Sequence, residues 1–295
     1  MPAAMDAPAS HRFTTGGGLT LAVHDWGGTG RPVLLAHPTG FHGIVWAPVA
    51  RRLVAAGCRV WSFDFRGHGD SDAPDSDYSW SGFADDAVAV AAHVGISGDP
   101  ALVACGHSKG AAALLLGEAT HPGAFARLWC YEPIFFPTDA VLPPDDDFLL
   151  ARTARRRRNE WRSKDEAFAS YASKPPLSVM TGESLRAYVD HALRDRGDGV
   201  FELKCRPEVE SRVYSMGPAN GVFRVAGDIR APTLVVCGET STAISPGLGA
   251  KLVARLPRGR LEVLPGAGHF GPQQDPDAVT ASILAFAAEP PPDAP

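Results

Sequence analysis

The sequence has little of what would direct it to several classes of protein. No apolar run approaches the ~18 residues that cross a membrane, and the N-terminal MPAAMDAPASHRF has neither the basic nor the apolar region of a secretory signal. The five cysteines show no CxxC spacing, so we expect buried thiols of a cytoplasmic protein, without a metal or disulfide role. A net charge of -5 implies no strongly basic surface, so nucleic acid is a poor candidate partner.

Short apolar segments alternate with segments of helical spacing over most of the chain. The predicted strands are 11–15, 19–25, 32–37, 58–63, 101–105, 127–131, 233–237 and 260–264, and the predicted helices are 46–56, 82–94, 109–120, 247–256 and 276–288. Near-continuous apolar strands between helices indicate an α/β fold whose mostly parallel central sheet carries helices on both faces.

The alternation stops between residues 134 and 221. That region is rich in Arg and Lys and reads as helical, so we expect a helical cap, with residues 1–133 and 222–288 forming the core and 289–295 a disordered tail. The cap contains four consecutive arginines, Arg155 to Arg158. Such a run is usually a solvated face, and binding of an anionic substrate is the alternative.

One motif in the core carries chemistry. Gly106–His107–Ser108–Lys109–Gly110 is the only G-x-S-x-G in the chain, and it lies between a predicted strand and a predicted helix. In that context the serine stands on a tight, strained turn with its hydroxyl off the sheet, and the small residues let strand and helix approach closely. Ser108 is therefore the candidate nucleophile.

With LLAHPTG after the third strand, DFRGHGDSD at residues 64–72 and GAGHFG near the end, the chain resembles the α/β-hydrolases. The resemblance covers nearly all of the sequence outside the cap. It implies that His269, after the last strand and before the last helix, is the base that takes the Ser108 proton and returns it to the leaving group.

The acid is missing from its usual place. The family commonly has an aspartate after the strand 233–237, but no Asp occurs between Asp228 and Asp275, and Ser241 stands about where it is expected. Glu132, at the end of the strand after the nucleophile, is the preferred candidate, because catalytic groups collect at such strand ends and a carboxylate there needs a partner. Zearalenone lactonase and one group of haloalkane dehalogenases are similar in carrying Glu after this strand. Glu239 remains the alternative.

The resemblance also implies an oxyanion hole. One donor is the backbone N–H of Lys109, and the other belongs to the HPTGFHG loop, where Pro38 lacks an N–H and Thr39 is the expected donor, with Gly40 or Phe41 as alternatives. The substrate pocket is expected to include Phe41 and His42 from that loop and Phe135 and Trp161 from the cap. Packing within the loop or the cap is the alternative for each.

These residues predict a serine hydrolase that cleaves a carboxylic ester or lactone through an acyl-Ser108 intermediate, with no metal or organic cofactor. Hydrolysis of a carbon–carbon bond in a diketone-like substrate is the runner-up, since relatives perform it with the same triad. A ligand-binding protein that keeps a hydrolase pocket without turnover is the alternative from another class. The expected partner is a small-molecule substrate, with no nucleic acid or membrane, and a homodimer is compatible with the sequence.

Overall fold

A computed structural model describes residues 7–76, 78–137 and 149–290 of the chain. Residues 291–295, most of the predicted disordered tail, and 138–148 of the predicted cap lie outside the described residues. Within the described ranges, no helix is both long enough and apolar enough to cross a membrane.

An eight-stranded, mostly parallel sheet forms the centre, as predicted, in the order β1-β2-β4-β3-β5-β6-β10-β11. Its strands are β1 Ala9–Thr14, β2 Thr20–Gly27, β3 Pro32–Ala36, β4 Arg59–Phe63, β5 Val103–His107, β6 Arg127–Tyr131, β10 Thr233–Gly238 and β11 Gly259–Leu264. The first two strands pair antiparallel, β2 also runs antiparallel to β4, and the remaining pairs are parallel. The carboxyl ends of β3, β5, β6 and β10 therefore meet at one edge.

Helices connect these strands and cover both faces of the sheet. They are α1 Ala47–Ala55, α2 Trp80–His93, α3 Lys109–Thr120, α9 Pro246–Val253, α10 Gly271–Gln274 and α11 Pro276–Ala288. The strands alternate little in burial because both faces are packed: every residue of β3, β5, β6 and β10 is buried. One core contains Phe63, Phe83 and Phe125, and the other contains Trp46, Trp129 and Phe286.

The middle segment, residues 149–221 together with the short α8, contains sheet as well as helix. Its elements are α4 Leu149–Arg155, β7 Glu160–Trp161, α5 Lys164–Ala172, α6 Gly182–Ala192, β8 Leu193–Asp195, β9 Phe201–Leu203, α7 Pro207–Ser215 and α8 Val222–Val225. The strands form an antiparallel sheet in the order β7-β9-β8, so the segment is mostly helical, as predicted, and also contains a small sheet that the sequence did not predict. Strands of two or three residues are too short to give a readable alternation.

Candidate active site

Ser108 occupies the sharp turn between β5 and α3. Its φ of 55° lies in the left-handed region, which a residue other than glycine adopts only at a cost in strain. The flanking glycines make the turn fit: a Cβ on Gly106 would lie 2.5 Å from Ala111 Cα, and one on Gly110 would lie 2.3 Å from the Ala36 carbonyl oxygen. The turn therefore requires glycine at both positions, and it holds the serine at the carboxyl edge of the sheet, 6% exposed.

Glu132 follows β6 directly and is completely buried. Its Oε2 lies 2.6 Å from His269 Nδ1 and accepts a hydrogen bond of 2.8 Å from Ser241 Oγ, while its Oε1 accepts one of 2.9 Å from the Gly238 N–H. Because an ionised carboxylate only accepts, the Nδ1 of His269 carries the proton in this pair. Three donors thus compensate a charge that burial alone would make costly.

The loop after β10 supports this acid without supplying it. Ser241, which stands where the family's aspartate is expected, donates to the same Glu132 oxygen as His269 does. Glu239 is exposed, and its Oε2 accepts from the Gly266 N–H at 2.8 Å. The structure therefore brings Glu132 to His269 and assigns Glu239 to a backbone contact in the neighbouring loop.

Several contacts fix the loop that carries His269. The Tyr131 hydroxyl donates to the Gly268 carbonyl at 2.6 Å, and the Gly268 N–H donates to Gln274 Oε1 at 2.9 Å. The His269 side chain is 25% exposed. Nε2 of His269 and Oγ of Ser108 are not hydrogen-bonded in the described part of the chain, and such bonds commonly close only when substrate is present.

His107 is a neutral packing residue between these groups. Its ring centroid lies 4.9 Å from that of His269, and burial, with His269 beside it, lowers the pKa of His107 well below its ordinary value. Neither of its ring nitrogens has a hydrogen-bond partner among the residues described. It therefore packs beside the base and takes no part in the hydrogen bonds of Glu132.

Two backbone N–H groups at the carboxyl edge of the sheet have no acceptor among the described residues. Among the described residues, the N–H groups of Thr39 and Lys109 donate to no other group. Gly40, next to Thr39, has a φ of 78°, which turns the loop sharply after β3. The two expected oxyanion donors are thus both free to bind an oxygen at this edge of the sheet.

The side chain of Lys109 points into the core, a feature that the sequence did not signal. It is fully buried, with Nζ 4.0 Å from the centroid of the Phe65 ring and 4.7 Å from that of Phe83. Its Nζ has no hydrogen-bond partner within the described ranges. Burial lowers the pKa of Lys109 to about 7, although Cys205, Asp86 and Asp64 oppose the shift.

A cavity of about 550 Å³ lies between the core and the middle segment, and its described lining does not include Ser108 or His269. Phe41 and Phe270 line it, and their ring centroids are 5.8 Å apart. Phe41 belongs to the loop that carries Thr39, and Phe270 directly follows His269. Trp161 also lines the cavity, as expected. Arg157 and Glu210 line it too, and the sequence offered only the arginine run as a signal for them.

Two residues expected at the pocket lie elsewhere. His42 is 3% exposed, and its Nε2 is 2.9 Å from the Tyr188 carbonyl oxygen, so it joins the loop to α6. Phe135 is 1% exposed and stacks on Phe223 with ring centroids 5.8 Å apart. Both are packing residues in this structure, because the direction of each side chain follows from tertiary contacts that a loop sequence does not reveal.

Comparisons with known proteins agree with this architecture. The model of the "Alpha/beta hydrolase family" matches residues 33–282. The non-heme chloroperoxidase CPO-A1 of Kitasatospora aureofaciens is 27% identical over 87% of this chain and 90% of its own. The 2-(acetamidomethylene)succinate hydrolase of Mesorhizobium japonicum is 28% identical over 92% of each chain.

A solved structure gives the same fold. The crystal structure of E-2-(acetamidomethylene)succinate hydrolase superposes with a TM-score of 0.79, at 22% identity, over 96% of this chain and all of that one. At this identity the likeness establishes the fold alone. With the family model covering most of the sequence, the chain belongs to the alpha/beta hydrolase family and is an enzyme of that superfamily.

Proposed function

We propose that the protein is a serine hydrolase that cleaves a carboxylic ester or lactone through an acyl-Ser108 intermediate. The observation that carries the proposal is the 2.6 Å contact between Glu132 Oε2 and His269 Nδ1, at the sheet edge where Ser108 stands on its strained turn. A nucleophile, a base and a group that orients the base are the parts that acyl transfer requires.

The first half of the reaction forms the acyl-enzyme. Ser108 Oγ attacks the substrate carbonyl while Nε2 of His269 takes its proton, and Glu132 stabilises the resulting imidazolium through Nδ1–H. The N–H groups of Thr39 and Lys109 receive the oxyanion of the tetrahedral intermediate. The intermediate collapses when the C–O bond to the leaving alcohol breaks and His269 gives that oxygen the proton.

The second half releases the acid. A water molecule gives a proton to His269 as its oxygen attacks the acyl carbon, and the bond to Ser108 Oγ breaks as the proton returns to the serine. In a lactone the leaving alcohol stays attached to the acyl group, so a single hydroxy acid is released. We further propose that the middle segment acts as a cap, because its residues form most of the cavity lining.

The test is hydrolysis of p-nitrophenyl butyrate and of a γ-lactone by the wild type and by Ser108→Ala. We expect the variant to lose all turnover above background, while Ser97→Ala, a matched change at an exposed serine, keeps the wild-type rate. Full activity in Ser108→Ala would overturn the proposal.

A fluorophosphonate probe separates the rival reaction from an inert site. Covalent labelling of Ser108 without hydrolysis of either ester or lactone would favour carbon–carbon bond cleavage, and a diketone-like substrate would then be assayed. If the probe fails to label Ser108, the nucleophile is not activated and the catalytic assignment is wrong.

A further inference from the structure

The cavity between core and middle segment has an excess of positive charge. Arg156, Arg157, Arg158 and Lys174 line it, against a single carboxylate, Glu210. Arg158 is engaged by Glu166, at 2.6 Å, outside the lining. Arg156 and Lys174 have no ion-pair partner among the residues described. A ligand that enters this cavity therefore meets a net cationic surface.

Arg157 is held rigidly inside this cavity. Its Nη1 donates to Glu210 Oε2 at 2.5 Å, and its Nη2 donates to the hydroxyl oxygens of Tyr171 and Tyr188, each at 2.9 Å. The side chains of Arg157 and Glu210 are only 18% and 9% exposed. Three helices of the middle segment, α5, α6 and α7, thus converge to fix one planar guanidinium, which is the group that recognises a carboxylate through two parallel hydrogen bonds.

The cluster is left with more donors than acceptors. A guanidinium has five N–H groups, and the three contacts of Arg157 use only part of them. Because both tyrosine oxygens accept from Arg157, their protons point elsewhere: Tyr188 Oη is 3.5 Å from the Gly40 carbonyl, and Tyr171 Oη has no acceptor within the described ranges.

Trp161 adds another hydrogen-bond donor without an acceptor in the described part of the chain. It lines the cavity, is 2% exposed, and its indole N–H is buried without an acceptor among the described residues. A buried donor without a partner is costly, and its need is met when a ligand brings oxygen acceptors into the cavity. The surplus of donors and the surplus of positive charge point to the same kind of ligand.

This cluster lies next to the oxyanion loop. A Cβ on Gly40 would fall 2.5 Å from Glu210 Oε1, and the hydroxyl of Tyr188 approaches the Gly40 carbonyl. The Glu210 carboxylate bridges Arg157 and the loop that carries Thr39. Its Oε2 accepts from Arg157, and its Oε1 lies beside Gly40. A group bound at Arg157 therefore lies near the loop that carries Thr39.

We propose that the natural substrate carries a carboxylate on its acyl portion and that Arg157 binds it, with Tyr171 and Trp161 as further donors. The inference rests on the proposed function for its reacting bond and adds the class of substrate: a half-ester of a short dicarboxylic acid, or a lactone that carries a free carboxylate. Glu210 acts as a positioning residue that holds the guanidinium beside the oxyanion loop.

The test compares mono-p-nitrophenyl glutarate with its neutral methyl ester, which has the same acyl chain and leaving group. We expect the wild type to have a kcat/KM for the acid at least tenfold higher than for the methyl ester. Arg157→Met should lower kcat/KM for the acid about a hundredfold, mainly through KM, and abolish the preference for the acid over the methyl ester. Equal rates for the two substrates in wild type would overturn the proposal.

Arg155→Met is the matched control, because Arg155 is exposed and outside the cavity lining. It should keep the wild-type preference. If Arg157→Met does not fold, Arg157→Met/Glu210→Gln removes the charge left unpaired, and it should likewise lose the preference for the acid. A preference that persists in whichever of these variants folds would assign the carboxylate to another site.

A binding measurement separates failure of this proposal from failure of the proposed function. Glutarate is titrated into Ser108→Ala by calorimetry, at low and high salt. We expect binding that weakens with salt and that disappears when Arg157→Met is added. If Ser108→Ala binds glutarate but the wild type cleaves neither p-nitrophenyl ester, the anion site is supported and the esterase assignment is rejected. If the wild type cleaves the esters but Ser108→Ala does not bind glutarate, the esterase assignment is supported and the anion site is rejected.

Discussion

The carboxylate of Glu132 and the guanidinium of Arg157 are both largely withdrawn from water, but their surroundings differ. Glu132 accepts three hydrogen bonds, from His269, Ser241 and Gly238, and is completely buried. Arg157 has spare N–H groups, and the tyrosines that accept from it have protons to donate. The hydrogen-bonding groups around Glu132 are satisfied without a ligand, whereas those around Arg157 are not.

This difference in unused hydrogen-bonding capacity agrees with the roles that we propose for the two residues, Glu132 in orienting the base and Arg157 in binding the substrate. A group that orients the catalytic base does the same work for every substrate, so its contacts can all be internal. A group that selects a substrate must keep bonding capacity free for it, at some cost in stability. Under the proposed function, the unmet donors of the cavity suit groups that select a substrate, and the fully hydrogen-bonded carboxylate of Glu132 suits a group that orients the base.

The largest effect that would test the comparison is expected at Glu132. Glu132→Gln keeps the shape of the side chain but removes the charge that stabilises the His269 imidazolium, so kcat should fall by about 10³- to 10⁴-fold. Glu239→Gln is the matched control and should stay within about twofold, because among the described residues the Glu239 side chain accepts a hydrogen bond only from the Gly266 N–H. Kinetics with p-nitrophenyl butyrate measure both, and the opposite ranking would move the acid to the loop after β10.

Lys109 is an exception to this comparison, because its amine is a donor without an acceptor among the described residues, although it lies in the core and not in the cavity. Burial lowers its pKa to about 7 in the folded protein, whereas an unfolded lysine keeps its proton to about pH 10.4. Between these values the unfolded chain binds more protons, so the contribution of Lys109 to the free energy of unfolding should rise with pH, by up to about 1.4 kcal/mol per unit.

Lys109→Met removes this titration. In guanidinium unfolding at pH 7, 8 and 9, the variant should exceed the wild type in stability most at pH 7, and the gap should narrow towards pH 9. A gap that does not change with pH would mean that the contacts with Phe65 and Phe83 keep the amine protonated over the whole range.

The positions of the candidate catalytic residues could be predicted because local sequence decides them. Ser108 lies in a strand–turn–helix motif with its two glycines, and Glu132 and His269 follow strands whose order in the sheet is set by parallel pairing. The burial of a lone carboxylate at the end of an apolar strand was itself a signal, because it required a partner. The helix–strand alternation gave the sheet in the same way.

The cavity could not be predicted, because it is assembled from elements that are distant in the chain. Arg157 meets Tyr171, Tyr188 and Glu210 only after α5, α6 and α7 have packed together, and nothing in the arginine run marks which member turns inward. The orientations of His42 and Phe135 depended on the same packing. Tertiary contacts, and not local pattern, decide such side chains.

The smallest effect we expect to detect is that of a substitution at Ser241. Substitutions there test whether the carboxylate beside His269 can be supplied from another position. The Ser241 hydroxyl donates to the Glu132 oxygen that faces His269 Nδ1. Ser241→Ala removes one of three hydrogen bonds to a buried charge and should lower kcat by about tenfold, near 1.4 kcal/mol. A rate unchanged from wild type would mean that the remaining two bonds orient the carboxylate unaided.

The informative variant combines this position with the loss of Glu132. In Glu132→Gln/Ser241→Asp a carboxylate returns to the loop after β10, within reach of His269, and we expect it to recover part of the activity lost in Glu132→Gln. Ser241→Asp alone should be worse than wild type, because two carboxylates would then compete in one buried site. Recovery in the double variant would show that the base needs a buried carboxylate beside Nδ1, whichever strand supplies it. No recovery would mean that the acid's geometry depends on the Gly238 N–H and on the left-handed backbone of Glu132, whose φ is 44°.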